Sequence, residues 1–206
     1  MTAHRKLNRR LVASLTVALA LGGYAAQNVA AAPAAAASAA ALSRIHIDNF
    51  GVVDDLYYRG AQPDGRDYGD LAGLGVKTVI DLTRNGRENE RGIVERAGMN
   101  FYRIPLSTSE RPSEGAVKQF LSIVNDPANQ PVYVHCQGGQ HRTGVMTAVY
   151  RMTKYGWDET KAYDEMKHYK FGADFLHSEF KDFVMGYPAQ VAHAAAAAAV
   201  TPKAGG

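Results

Sequence analysis

Residues 132–144 read VYVHCQGGQHRTG, and no other stretch limits the possible folds as much. Val132, Tyr133 and Val134 form a short apolar, β-prone run that ends at Cys136. A loop with two glycines follows, and Arg142-Thr143-Gly144 opens a segment of helical character. A buried strand feeding a helix through so short a loop belongs to an α/β architecture. The flanking pattern agrees. Segments 44–48, 56–59, 76–82 and 101–105 alternate or are β-rich and are expected as strands, with 131–135 as a buried strand. Val117, Phe120, Leu121 and Val124 fall on one helical face, so 113–125 is expected to be an amphipathic helix ending before Pro127. A helix over 143–155 stops at Gly156, Asp158 caps the next, and a last helix covers 174–185. The expected fold is a single-domain α/β sandwich with a largely parallel central sheet flanked by helices.

The ends of the chain are of a different composition. Arg5, Lys6, Arg9 and Arg10 precede an apolar run of about 13 residues, shorter than the ~20 a spanning helix needs, and small residues follow. That order reads as a secretory signal over 1–31, with an Ala-rich linker at 32–42, a folded domain at 43–187 and a low-complexity tail at 188–206. The tail is assigned no chemistry, although alanine's helix propensity allows a short helix over 192–200. The expected location is secreted or periplasmic, with no stable membrane insertion once the signal is cleaved. The formal charge is +3, but without the four leader cations 19 Lys and Arg face 20 Asp and Glu, a charge of −1. Nucleic acid is therefore not an expected partner. A single cysteine excludes an internal disulfide framework and a multi-cysteine zinc site.

The loop from Gln137 to Arg142 has the make-up of an anion cradle. Backbone N–H groups in a glycine-containing loop can converge on an oxyanion while the following helix directs its positive end to the same point. Gly138 and Gly139 allow close approach, and Gln137, Gln140 and His141 complete the loop. The planar fork of Arg142 can hold two phosphate oxygens. Helix-end and cationic surroundings favour a thiolate, the nucleophilic form of cysteine, so Cys136 would attack phosphorus. Thr143 could donate its hydroxyl to the sulfur, and His135 would support the loop.

These residues resemble the signature of the cysteine-dependent protein tyrosine phosphatase superfamily, in particular its small atypical dual-specificity phosphatases. LYYRGAQP is similar to that family's opening segment, GLGVKTVIDLT to its next loop and strand, and HCQGGQHRTG to its HC-x5-R-[ST] motif. The resemblance implies Cys136 as nucleophile, Arg142 as phosphate clamp, the 137–142 backbone as binding loop, and neither metal nor organic cofactor. Relatives carry a general-acid aspartate some thirty residues before the cysteine. Here that window, IPLSTSERPSEG, has none. Glu110 is the nearest carboxylate, and Asp81, at the end of a strand on the same edge, is the alternative. Arg84, Arg87 and Arg91 either rim the pocket or form a solvated face alternating with Glu88, Glu90 and Glu95. His46, His168 and His177 read as surface or packing residues.

The expected activity is hydrolysis of a phosphomonoester on protein, peptide or small molecule through a phosphocysteine, with phosphotyrosine as the leading class. Three other readings are compatible with the loop: a phosphoinositide or inositol phosphate phosphatase, a non-enzymatic phosphate-binding module, and a sulfur-transferring rhodanese-like enzyme. Neutral Gln137, Gly138 and Gln140 weigh against a very highly charged inositol substrate.

Overall fold

The structure, a computed structural model, describes residues 39–200. The expected signal at 1–31 and most of the linker lie outside these residues. The sheet contains β1 (Gly51–Asp54), β2 (Tyr57–Gly60), β3 (Thr78–Thr83), β4 (Asn100–Leu106) and β5 (Val132–His135), in the spatial order β1-β2-β5-β3-β4. Only β1 against β2 is antiparallel; β2, β5, β3 and β4 run parallel. The helices are α1 (Asp67–Gly73), α2 (Glu90–Arg96), α3 (Glu114–Val124), α4 (His141–Tyr155), α5 (Glu159–His168) and α6 (Ser178–Val200), with a 3-10 turn at Asp174–His177. The expected sandwich is the one observed.

Alternation along the strands divides the core in two. Ile80, Leu82, Val132 and Val134 pack with residues of α3 to α6 on one face, while Val79, Phe101 and Tyr133 pack with residues of α1 and α2 on the other. Period-two alternation sends successive side chains to opposite faces, so one strand can serve both cores. Ser113 caps α3 by accepting from the Ala116 N–H, and Asp158 caps α5 by accepting from Lys161. Gly156, left-handed at φ 63°, ends α4.

Two expectations are corrected, and three elements were not foreseen. Segment 44–48 is not a strand: Ile45 and Ile47 lie on the smaller core, and the chain then turns at Asn49 (φ 56°) before β1. β1 was not foreseen, because its four residues, GVVD, are too few to show a period and begin and end on strand-poor residues. Helices α1 and α2 were also missed. Each has seven residues, and the buried pair in α2 is Glu90 and Val94, so a charge stands where the apolar period should show. The last helix is split into the 3-10 turn and α6, which extends to Val200 and makes much of the tail helical. Among the described residues no helix is long and apolar enough to cross a membrane.

Candidate active site

β5 is central and buried along its whole length, so Cys136 is delivered to the C-terminal edge of the parallel strands, where ligands of open α/β sheets collect. Cys136 is 3% exposed. Residues 136–140 then cross to α4, which begins two residues before the expected Thr143. Its N-terminus carries no side-chain cap, so its first amides have no side-chain acceptor. Gly139 has φ 64°, and a Cβ there would overlap the backbone of Gly60 and Ala61. Only glycine fits that position without displacement. The Gln62 N–H donates to the Gln137 carbonyl at 3.1 Å, so β2 continues into contact with the loop.

Arg142 lines a cleft of about 790 Å³ together with Gln137, Gln62, Thr83, Ser107 and the 84–87 loop. Arg142 Nε and Thr143 Oγ1 are buried without a hydrogen-bonding partner. The expected bond from Thr143 to sulfur is therefore not formed. Two unspent donors in the first turn of a helix suit an oxyanion. His141 is a brace through its side chain: its Nε2 lies 3.0 Å from the Phe171 carbonyl, and its ring stands 3.8 Å from that of His177. Burial and the neighbouring His177 hold His141 below the ordinary histidine value, against the opposing effect of the Phe171 bond. His177, read from sequence as peripheral, also contacts the Thr108 carbonyl through Nδ1 at 3.2 Å.

Beneath the loop lies a buried polar network. His135 Nε2 is 3.0 Å from Glu90 Oε1, though poorly aligned for a hydrogen bond, and Gln62 and Tyr68 donate to the same oxygen at 2.6 and 2.9 Å. Burial pushes the Glu90 carboxyl up, but His135, Gln62 and Tyr68 together hold it below its ordinary value. Glu90 is thus fully buried rather than part of a solvated face. Arg103 bridges Asp81 at 2.7 Å and Glu90 at 3.7 Å. Asp81, Glu90 and His135 bring possible metal-ligand atoms within 4.8 Å of one another, but the Arg103 guanidinium already balances both carboxylates.

Asp81 does not fit the acid role. It is completely buried and accepts from Thr83 N, Thr83 Oγ1 and Arg103 Nε, so its oxygens are committed to the fold. Glu110 is on the exposed 107–112 loop, paired with Arg84 at 2.8 Å. Arg84 and Arg87 line the cleft; Arg91 instead binds the Phe101 carbonyl and Glu95. Sequence reading passed over Asn49, Arg59, Gln62, Asp64 and Asp67. For Arg59 and Gln62 a signal existed, since both lie in the LYYRGAQP segment, but nothing in that string indicates that it abuts the cysteine loop.

A family model described as DSP-PTPase phosphatase fused to NAD+ Kinase matches residues 45–182. The dual specificity protein phosphatase TpbA of Pseudomonas aeruginosa strain UCBPP-PA14 is 30% identical over 179 residues, 86% of this chain and 79% of that protein. The match to TpbA of strain PAO1 spans 58% of its length. A crystal structure of a TpbA variant in complex with pTyr aligns with TM-score 0.58 and 28% identity, covering 67% of this chain and 83% of that one. The core catalytic domain of the PP-IP phosphatase SIW14 from S. cerevisiae, with citrate, aligns with TM-score 0.59 and 26% identity, over 68% and 85%.

Proposed function

The chain belongs to the DSP-PTPase family of cysteine-dependent phosphatases, and on that premise we propose that it hydrolyses phosphomonoesters through a phosphocysteine formed on Cys136. The thiolate attacks phosphorus as the bond to the leaving oxygen breaks. Water then attacks the phosphocysteine, releasing inorganic phosphate and the thiolate. Arg142 and the amides of 137–142 hold the equatorial oxygens, and Thr143 donates to the sulfur as it leaves. The observation that carries this reading is the pair of donors on Arg142 and Thr143, buried and unpartnered among the described residues in the first turn of the helix that follows the cysteine loop.

Glu110 is the proposed general acid. Its partner Arg84 is 56% exposed and Glu110 is 66% exposed, so the pair is weakly held and the carboxyl can swing to the cleft. The proposed substrates are phosphotyrosyl proteins or peptides. Pairing of Arg84 with Glu110 and of Arg87 with Asp64 leaves the rim without the large positive excess that an inositol pyrophosphate needs. SIW14's description as a PP-IP phosphatase supports the second reading, an inositol phosphate substrate. The basic, apolar and small-residue order of the first 31 residues supports export.

The test is phosphate release from an aryl phosphomonoester by the full chain, with reductant and EDTA, beside Cys136→Ser and Arg142→Ala. Wild-type turnover that vanishes in Cys136→Ser, together with a phosphoryl adduct on the Cys136 peptide, is expected. Arg142→Ala should lose about 10²-fold or more, as for an oxyanion donor. A folded, inactive wild type overturns the reading in favour of a phosphate-binding module. Glu110→Gln should cost more on an alkyl than on an aryl phosphate, within the ~10²–10⁴ range of general acids. A panel of phosphotyrosyl peptides and inositol phosphates separates the substrate readings, and cell fractionation tests export.

A further inference from the structure

Arg59, the third residue of β2, is a completely buried cation that the chemistry above leaves unused. Among the described residues its side chain makes a single hydrogen bond, from Nη2 to the Gly139 carbonyl at 2.8 Å, while Nε and Nη1 are buried without partners. Its guanidinium lies over the Tyr169 ring, 3.9 Å from the centroid. Glu165, a carboxylate whose field reaches it, is already bound by Arg151 at 2.7 Å. Burying a charge with so little compensation is costly, and the only polar group it engages belongs to the cysteine loop.

The same carbonyl has a second anchor. Asn49 Nδ2 donates to Gly139 O at 2.9 Å, and also to Gly138 O at 3.4 Å and Tyr169 O at 3.0 Å. In a trans peptide the carbonyl and the N–H of the next residue point in opposite directions. Fastening the Gly139 carbonyl to Arg59 and Asn49 therefore turns the Gln140 N–H the other way. That other way is away from the Arg59 and Asn49 side chains.

We propose that Arg59 is a positioning residue of the phosphate loop: it holds the Gly139 carbonyl so that the Gln140 N–H faces the bound phosphoryl group, and it backs the loop with a fixed positive charge. This deepens the reading of 136–142 as a phosphate site and rests on it. Burial depresses the Arg59 pKa, while Tyr57, Glu165, Tyr169 and Cys136 oppose that fall.

The experiment uses the full chain carrying Cys136→Ser, which separates binding from turnover. It is titrated with inorganic phosphate by calorimetry and by ¹⁵N amide spectra that follow Gln140, with and without Arg59→Met, Arg59→Lys and Asn49→Gly. Arg59→Met should weaken phosphate by about fivefold or more, the scale of a charge-assisted hydrogen bond, and abolish the Gln140 response while amides remote from the loop stay unmoved. Arg59→Lys, which keeps a cation and a donor, should recover part of the loss. A smaller loss in folded Arg59→Met, or a preserved Gln140 response, overturns the proposal. If Arg59→Met does not fold, Asn49→Gly decides: it removes the second donor yet tolerates the left-handed backbone, and only a weakened phosphate affinity with an altered Gln140 response supports the proposal. A parent that binds no phosphate defeats the phosphate-loop reading itself, whereas a parent that binds beside an equally competent Arg59→Met defeats only the role of Arg59.

Discussion

The floor and the mouth of the cleft are both built from arginines and carboxylates, yet they are built differently. On the floor, Glu90 and Asp81 are fully buried and share Arg103, and His135 and Tyr68 close the network. At the mouth, Arg84–Glu110 and Arg87–Asp64 are pairs whose side chains are 45% to 81% exposed. Buried partners depend on one another because a charge left alone has no water to turn to, whereas exposed partners are replaced by solvent at little cost. The floor is thus suited to fixing the geometry of a reaction, and the mouth to rearranging around whatever substrate arrives.

The strongest way to break this contrast is Glu90→Ala. Removing one member of a buried charge network should cost about 3–5 kcal/mol in urea unfolding. The same group gives a pH signature. Its folded pKa lies below the ordinary 4.5, so its stabilisation is complete above the unfolded value and is lost as pH falls through the folded one. Stability of Glu90→Gln should therefore lack that acid-limb decline. Gly139→Ala comes next. With a left-handed φ and no space for a methyl group, it should lower kcat/KM by about 10²-fold, equivalent to about 2.7 kcal/mol, in a chain that still unfolds cooperatively.

At the mouth, Arg84→Ala should change KM for an aryl phosphate by less than about threefold at 0.15 M salt, with a larger effect on dilution of the salt. A loss as large as that of Gly139→Ala would erase the distinction between the two regions. The smallest effect sharpens it at the join. His177→Ala removes a neighbour that lowers His141, so the His141 titration followed by NMR should move up toward 6.5. Because the folded pKa of His141 lies below its unfolded value, wild-type stability should fall as pH drops through the unfolded value, and less steeply in the variant.

What could be read from sequence follows from how local each determinant is. β5, the loop and α4 are contiguous, and their strand, glycine and helix signals lie in one string, so the segment that carries Cys136 and Arg142 was legible as strand, loop and helix. The cap Asp158 acts within four residues and was equally legible, whereas Ser113, read as the first residue of its helix, is its cap. Glu90 was misread because its partners, His135 and Gln62, are distant in sequence, and a glutamate beside arginines in a chain of ordinary composition reads as solvated. Asp81 was at the right end of the right strand, but β3 is buried on both faces, and there Thr83 and Arg103 claim it. Arg59 fell in a recognised segment and still carried no hint of a role, since its meaning depends on Gly139, whose carbonyl it meets only after β2 and β5 have paired.

That pairing has a consequence in time. β5 is the last strand in sequence but sits between β2 and β3, both made long before it. The two halves of the sheet have no common neighbour until residues 132–135 slide between them, and such distant partners are slow to meet. Until they do, the cysteine that follows β5 has no strand end to hold it at the edge of the sheet, so the site is complete only once β5 has joined both halves.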